Sequence, residues 1–357
     1  GSMFVRQLVE AEVDPFEQPN VNVLMASIAS LRPNPEMWRS HRQELTDPWV
    51  GPGASRNAAM VTQFAHQLID QWIARGTVEF VGEFAQPLPQ MVMAGVLGWP
   101  LEDLNLLKYF GDGCVQPFVY GTGPRNVLSE EEIKAQFKVL DEFKQYTQDL
   151  ISHKRQHPQD DMISYLTTVE YSPLKRKLTD LEINGVVYAM VIGGLETTQY
   201  ALAEQVQLLI ENQEIWSTLQ SDRSKVRAFT EEGMRLRSPT QGLSTRITSQ
   251  DEVFQGVTVP KGSFLHLRWA AANIDPQEWA EAKSLKLDRK AGTRHLTFSQ
   301  GARVCPGAHL SRLEQTVAWN VLLDRVGSFK YAADNTFLHQ PGIMLGTLAL
   351  NLNFDVV

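Results

Sequence analysis

The stretch from Asp180 to Asn212 constrains this chain more than any other. It reads as one long helix, apolar almost all round at its centre. A helix without a polar face must be enclosed on every side, so it is expected to run through the core. The sequence around it is also helical. Ala58 to Arg75 carries Met60, Val61, Phe64, Leu68, Ile69 and Trp72 at helical spacing. Glu130 to His153 reads as a long amphipathic helix. After Ser238 the texture changes. Short strands are expected within Thr245 to Val259, around a Gln255-Gly256 turn, and at Ser263 to Leu267 and Leu345 to Phe354. Another helix, Ala308 to Val326, lies among them. The fold class is therefore mainly α with a small late β component. One domain is expected over 1–357, helix-rich across 3–237 and mixed β across 238–357. Gly1 and Ser2 are set aside as an expression scar.

Composition removes several classes of function. The 357 residues include 33 basic and 41 acidic ones, a formal charge of −8. That balance disfavours a nucleic-acid binder, which needs a basic footprint, but allows a local basic docking patch. No apolar run approaches the roughly 20 residues that span a bilayer, and no secretory signal is evident. A cytoplasmic protein without membrane association is the expectation. The two cysteines, Cys114 and Cys305, exclude a disulfide framework and an all-cysteine zinc site. One of them can still serve as a lone metal ligand or nucleophile.

Cys305 has the richer surroundings. It sits in His295-Leu-Thr-Phe298-Ser-Gln-Gly301-Ala-Arg303-Val-Cys305-Pro306-Gly307, directly before a helix. A thiolate that binds iron must be held rigidly and kept deprotonated. Gly301 and Gly307 permit tight turns that aim backbone N–H groups at the sulfur. The following helix adds positive potential at its N-terminus. Phe298 can cover the sulfur and exclude water. Arg303 and His295 are placed to meet haem propionates. Pro306 removes one N–H beside the ligand.

Two further segments carry chemistry. Gly193-Gly194-Leu195-Glu196-Thr197-Thr198 lies inside the long helix, where two adjacent glycines cost about 2 kcal/mol relative to alanine. Close approach of a flat ligand, or space for a small molecule, would justify that cost. Thr197 can return its hydroxyl to a carbonyl one turn earlier and loosen the helix. An acid beside a hydroxyl is a reasonable proton relay. Glu232 and Arg235 stand three apart on one helical face.

These segments together resemble the cytochrome P450 family. The cysteine segment matches FxxGxRxCxG at every fixed position, and Gly193 to Thr198 matches (A/G)Gx(D/E)TT. Glu232 to Arg235 matches ExxR, and Trp38-Arg39-Ser40-His41-Arg42 resembles WxxxR. The resemblance implies a helix-rich fold holding haem b (iron protoporphyrin IX) between a long distal helix and the cysteine-loop helix. Cys305 would bind the iron, and Gly194 would lie against the cofactor. Glu196 would supply protons, and Thr197 would hydrogen-bond the iron–oxygen intermediate. Trp38, Arg42 and Arg246 would meet the propionates, and Glu232 with Arg235 would form a clamp beneath the haem loop. The family usually closes that clamp with a further Arg. Ser284 stands where it is expected, and neighbouring Lys283 lacks the planar fork.

The likeness is greatest to soluble bacterial members, and the order of segments is kept from Met3 to Val357. Val5 to Glu12 resembles the family's second helix, so the first helix and first strands are expected to be missing. Substrate contacts are expected from a loop at Val23 to Leu31, from Gln116 to Tyr120, and from Val191, Gly194, Leu243, Ser244, Ile343 and Met344. Most are apolar, which suits a hydrophobic small molecule.

Three functions remain open at this point. The first is a monooxygenase that activates dioxygen with two electrons from separate redox partners, of ferredoxin or flavodoxin type with a reductase. It would hydroxylate or oxidatively demethylate an apolar small molecule as a monomer. Arg294, Arg303 and Arg312 would offer positive charge for docking. The second is a peroxide-driven haem oxygenase, or a haem isomerase or dehydratase. The third is a non-catalytic haem-binding protein.

Overall fold

A computed structural model describes residues 22–119, 129–242, 245–289, 294–339 and 344–357. Its helices start where the sequence provides caps. Ser129 accepts the N–H of Glu132, and the Glu132 carboxylate returns to the Ser129 N–H, opening the helix Glu130–Gln156. Thr179 and Glu182 repeat the device at the head of Asp180–Gly194, where Arg176 forks onto the Glu182 carboxylate with two 2.8 Å bonds.

The expected single helix from Asp180 to Asn212 is two helices, Asp180–Gly194 and Glu196–Glu211, interrupted at Leu195. The Thr197 hydroxyl donates to the Gly193 carbonyl at 2.8 Å, the local back-bond that loosens a helix. The helix Leu104–Val119 presses on the break through Gly111, where a Cβ would come within 2.6 Å of the Leu195 side chain. On either side of the broken helix lies an aromatic cluster. Trp72 meets Phe84 and Phe354 edge-on, with ring centroids 6.3 and 5.0 Å apart. Trp99 stacks on Tyr146 at 4.5 Å and meets Phe110 at 6.1 Å. The broken helix is enclosed as expected, with Val186, Val187, Val191, Leu202 and Val206 fully buried.

The strands are not all late. β1 (Thr77–Glu79), β2 (Glu170–Tyr171) and β3 (Arg176–Lys177) fall within the segment read as helical. β4 (Thr245–Ile247), β5 (Glu252–Phe254), β6 (Val257–Val259), β7 (Phe264–His266), β8 (Val326–Tyr331) and β9 (Asn351–Val356) follow. β1 pairs antiparallel with β9, matching Thr77 to Asn353, and β9 pairs in turn with β8. A three-residue strand carries no pattern of its own; the C-terminal strand recruits it. β5 and β6 turn at Gln255 and Gly256, both at positive φ (47° and 83°), as the dipeptide predicted.

One expectation at the N-terminal side changes. The Val23 to Leu31 loop is the helix Val23–Ser30, capped by Asn22, whose side chain accepts from the Leu24 and Met25 N–H groups. Gln116 to Val119 end the helix Leu104–Val119. Val5 to Glu12 and Tyr120 lie outside the described residues.

Candidate active site

The cysteine loop is built by its own backbone. The Cys305 N–H donates to the Phe298 carbonyl at 2.8 Å, and the Val304 N–H closes a tight turn onto Gly301. Gly301 is left-handed (φ 77°), and so is Ser299 (φ 60°), a conformation that costs a residue with a Cβ. The helix Ala308–Arg325 begins three residues after Cys305, which is half-buried. Burial raises its thiol above the ordinary range. The N–H groups of Gly307 and Ala308 and the guanidiniums of Arg42 and Arg312 pull the other way, favouring thiolate. Cys114 has no such helpers, and burial pushes its thiol up to about 12.

A cationic group gathers beside this loop. Trp38 Nε1 donates to the Ala302 carbonyl and Arg42 Nη1 to the Val304 carbonyl, tying both residues to the loop. The guanidiniums of Arg32 and Arg303 lie 4.0 and 4.7 Å from the Trp38 ring. Burial, then Arg303 and Arg42, push Arg32 down to about 10. His41 is buried between these charges on a π-helical turn, His41–Thr46, and neither ring nitrogen has a partner. Burial, Arg32 and Arg42 hold its imidazole down to about 3, so it is neutral.

Sequence reasoning found Trp38, Arg42 and Arg303 but missed Arg32 and His41. Arg32 lies outside the WxxxR pattern, and His41 lies inside it at a variable position.

His295 does not join this group. Its Nε2 bonds Glu231 at 3.0 Å and its Nδ1 accepts the Thr297 N–H, so both nitrogens are engaged by the protein. Arg246 stands exposed on β4, paired in register with Leu265 of β7.

The glycines also sort differently from expectation. A Cβ on Gly194 would meet Met93 Cε, the flexible end of that side chain, at 2.2 Å. A Cβ on Gly193 or Gly307 would meet nothing within 4 Å, and neither has a left-handed φ. Neither backbone strain nor crowding accounts for these two glycines.

Glu196 opens the second half of the broken helix. Burial and Asp112 push its carboxyl up to about 7, against the pull of Lys108 and of the Tyr200 hydroxyl 3.4 Å away. Thr198 reaches across to Ser311 on the cysteine-loop helix at 3.0 Å. Glu314 on that helix is fully buried and its Oε2 is unpartnered; burial pushes it up to about 8.

The clamp corrects the sequence reading. Arg235, fully buried, forks onto Glu232 at 2.7 and 2.9 Å and also donates to the carbonyls of Asn273, Ala282 and Ser284. The closing cation is Arg289. Its Nε meets Glu232 at 2.9 Å, and its other nitrogens bond the carbonyls of Ala280, Glu281 and Ser284. Ser284 contributes a carbonyl, and Lys283 is exposed. The fork chemistry expected of the position is present, five residues later than expected.

Two of the substrate candidates are packed. Val191 is fully buried in the core, and Met344 is buried with its sulfur 3.7 Å from the Thr240 hydroxyl. Leu243, Ser244 and Ile343 lie outside the described residues. Of the expected docking cations, Arg294 pairs with Glu278 and Arg312 with Glu231.

The family model for Cytochrome P450 matches residues 124–349. This chain belongs to the cytochrome P450 family. It is 32% identical over 272 residues to the biotin biosynthesis cytochrome P450 of Bacillus subtilis, covering 76% of this chain and 66% of the relative. It is 28% identical over 272 residues to the polyketide biosynthesis cytochrome P450 PksS of the same organism, covering 76% and 64%. The chain thus spans about two thirds of the length of these curated relatives. A solved structure of P450BioI, in complex with an acyl carrier protein ligated to hexadec-9Z-enoic acid, superposes with TM-score 0.83 at 26% identity. It covers 95% of this chain and 86% of that one. Among the described residues, no helix is long and apolar enough to cross a membrane.

The site fits the haem its family implies. It has a buried thiol on which two backbone N–H groups and two guanidiniums act against burial, a buried imidazole without a partner beside Arg32 and Arg42, and two glycines where a Cβ would meet open space.

Proposed function

We propose that this chain is a haem-thiolate monooxygenase acting on an apolar small molecule. The observation that carries the reading is Cys305, aimed into helix N-terminal N–H groups with Arg42 and Arg312 beside it. Haem b, when bound, supplies the iron at which dioxygen is activated and the substrate oxidised. Cys305 holds that iron as thiolate, and Phe298 shields the sulfur from water. Arg32, His41, Arg42 and Arg303 bind the propionates and set the cofactor's orientation. Glu196, with its carboxyl near neutrality, holds a proton at Oε and releases it inward. The Thr197 hydroxyl gives its hydrogen to Gly193 and keeps its lone pairs as acceptors for that proton. Electrons come from a separate ferredoxin-type or flavodoxin-type partner, and the protein works in the cytoplasm. The relatives named for biotin and polyketide biosynthesis support a hydrophobic, chain-like substrate class.

The test is the absorption spectrum of the dithionite-reduced protein under carbon monoxide. A strongly red-shifted Soret band that Cys305→Ser abolishes supports the reading; its survival in Cys305→Ser refutes it. Thr197→Ala should then uncouple electron use from product while haem binding persists. Strong turnover with peroxide and no reductase would favour the peroxide-driven alternative.

A further inference from the structure

Glu231 lies beside the ExxR clamp but takes no part in it. Its carboxylate is 3% exposed and serves two partners from different elements. Arg312, on the cysteine-loop helix, reaches it with Nε at 2.6 Å and Nη2 at 3.0 Å. His295 reaches it with Nε2 at 3.0 Å; because Nδ1 accepts the Thr297 N–H, Nε2 carries the proton and donates. Both partners also meet one aromatic ring. The Arg312 guanidinium sits 4.5 Å from the Phe298 ring centroid, and the His295 ring lies 5.9 Å from it. The Phe298 carbonyl in turn holds the Cys305 N–H. Each link is anchored to the next, from a buried carboxylate to the backbone of the cysteine.

We propose that Glu231 is a positioning residue for the thiolate site: it holds the Arg312 guanidinium on the Phe298 ring, and so fixes the charge and the aromatic cover beside the Cys305 sulfur. This rests on Cys305 being the iron ligand. A guanidinium left to solvent would wander, because the Arg312 side chain is only partly enclosed (25% exposed). A two-point attachment to a buried carboxylate removes that freedom. The geometry also explains why the loop carries a histidine three residues before Phe298. His295 occupies a further lone pair of the same carboxylate.

The test is a double-mutant cycle read by the ferric/ferrous midpoint potential of the haem-loaded protein. Arg312→Gln removes a positive charge near the sulfur and should lower the potential. Glu231→Gln removes the anchor as well as a negative charge. In that background Arg312→Gln should lower the potential by clearly less, because the guanidinium is no longer held in place. Additive shifts would overturn the proposal: the two charges would then act independently. Unchanged potentials with lowered thermal stability would also overturn it, leaving a packing role alone. If Glu231→Gln does not load haem, Glu231→Asp replaces it; the shorter carboxylate keeps the charge, so any loss of the Arg312 effect reports position. In every variant the red-shifted ferrous–CO band should persist. Its absence from the unmutated protein would instead refute Cys305 ligation, which separates the two failures.

Discussion

Arg289→Ala tests whether the clamp has three members. Arg289 donates four hydrogen bonds, to Glu232 and to the carbonyls of Ala280, Glu281 and Ser284. Their loss is not uniform in cost. Glu232 keeps two bonds from Arg235 and one from the Lys286 N–H, so the carboxylate is not orphaned. The Ala280 and Glu281 carbonyls lie near the surface and regain water. The Ser284 carbonyl keeps Arg235 at 3.2 Å. What is lost outright is one charge-assisted bond in a largely buried place, worth roughly 1.5–3 kcal/mol. An expected cost of about 2–3 kcal/mol follows, below the roughly 3–5 kcal/mol of breaking a fully buried pair, which Arg235→Ala should reach. Lys283→Ala, at an exposed side chain, should stay within about 0.5 kcal/mol. The assay is equilibrium urea unfolding followed by tryptophan fluorescence, with the slope checked for constancy. Equal costs for Arg289→Ala and Lys283→Ala would refute the assignment of Arg289 as the closing cation.

Three further outcomes follow from the same geometry. Gly194→Ala should stay within about 1 kcal/mol of neutral, because the flexible end of Met93 can move aside, whereas Gly193→Ala should be neutral or stabilise by up to about 1 kcal/mol yet weaken apolar-ligand binding, read by spin-state titration. Glu314 has a folded pKa raised to about 8, so the folded state holds its proton longer than the unfolded chain, and this residue's contribution to stability falls as pH rises from about 4.5 through 8; Glu314→Gln should therefore be the more stable protein at pH 8, by on the order of several kcal/mol, with the advantage gone near pH 4, and an advantage independent of pH would refute the burial argument. His41→Phe should leave the unfolding of the haem-free chain unchanged or improved, since an unpartnered imidazole is replaced by an apolar ring, while haem transfer to apomyoglobin accelerates; unchanged haem retention would exclude His41 from the propionate cradle.

The residues that were legible beforehand share one property: their roles depend on near neighbours in sequence. The Thr197 back-bond to Gly193 spans four residues, and the Gln255-Gly256 turn spans two. Cys305 was legible because its helix N-terminus and turn glycines lie within a few positions. Where a contact requires a partner far along the chain, local reading did not find it. His295 was read from its place near Cys305, and its bond to Glu231, 64 positions earlier, left no local mark. Gly194 was read from its helix, and the nearness of Met93 to it was not legible there. Arg289 went unnoticed because it follows Ser284 by five residues, and only the path of the intervening backbone swings its fork onto Glu232.

The helix-rich class, the enclosure of the Asp180 to Asn212 stretch and the turn at Gln255-Gly256 were legible in the sequence. These follow from periodicity and turn chemistry, which act over a few residues, whereas the break at Leu195 was not legible. Tertiary structure alone decided which cations surround His41, which glycine faces open space, which arginine closes the clamp, and that β1 joins the C-terminal sheet. Those outcomes depend on burial, because a charge or a polar atom removed from water must find its partner wherever the packed chain brings one.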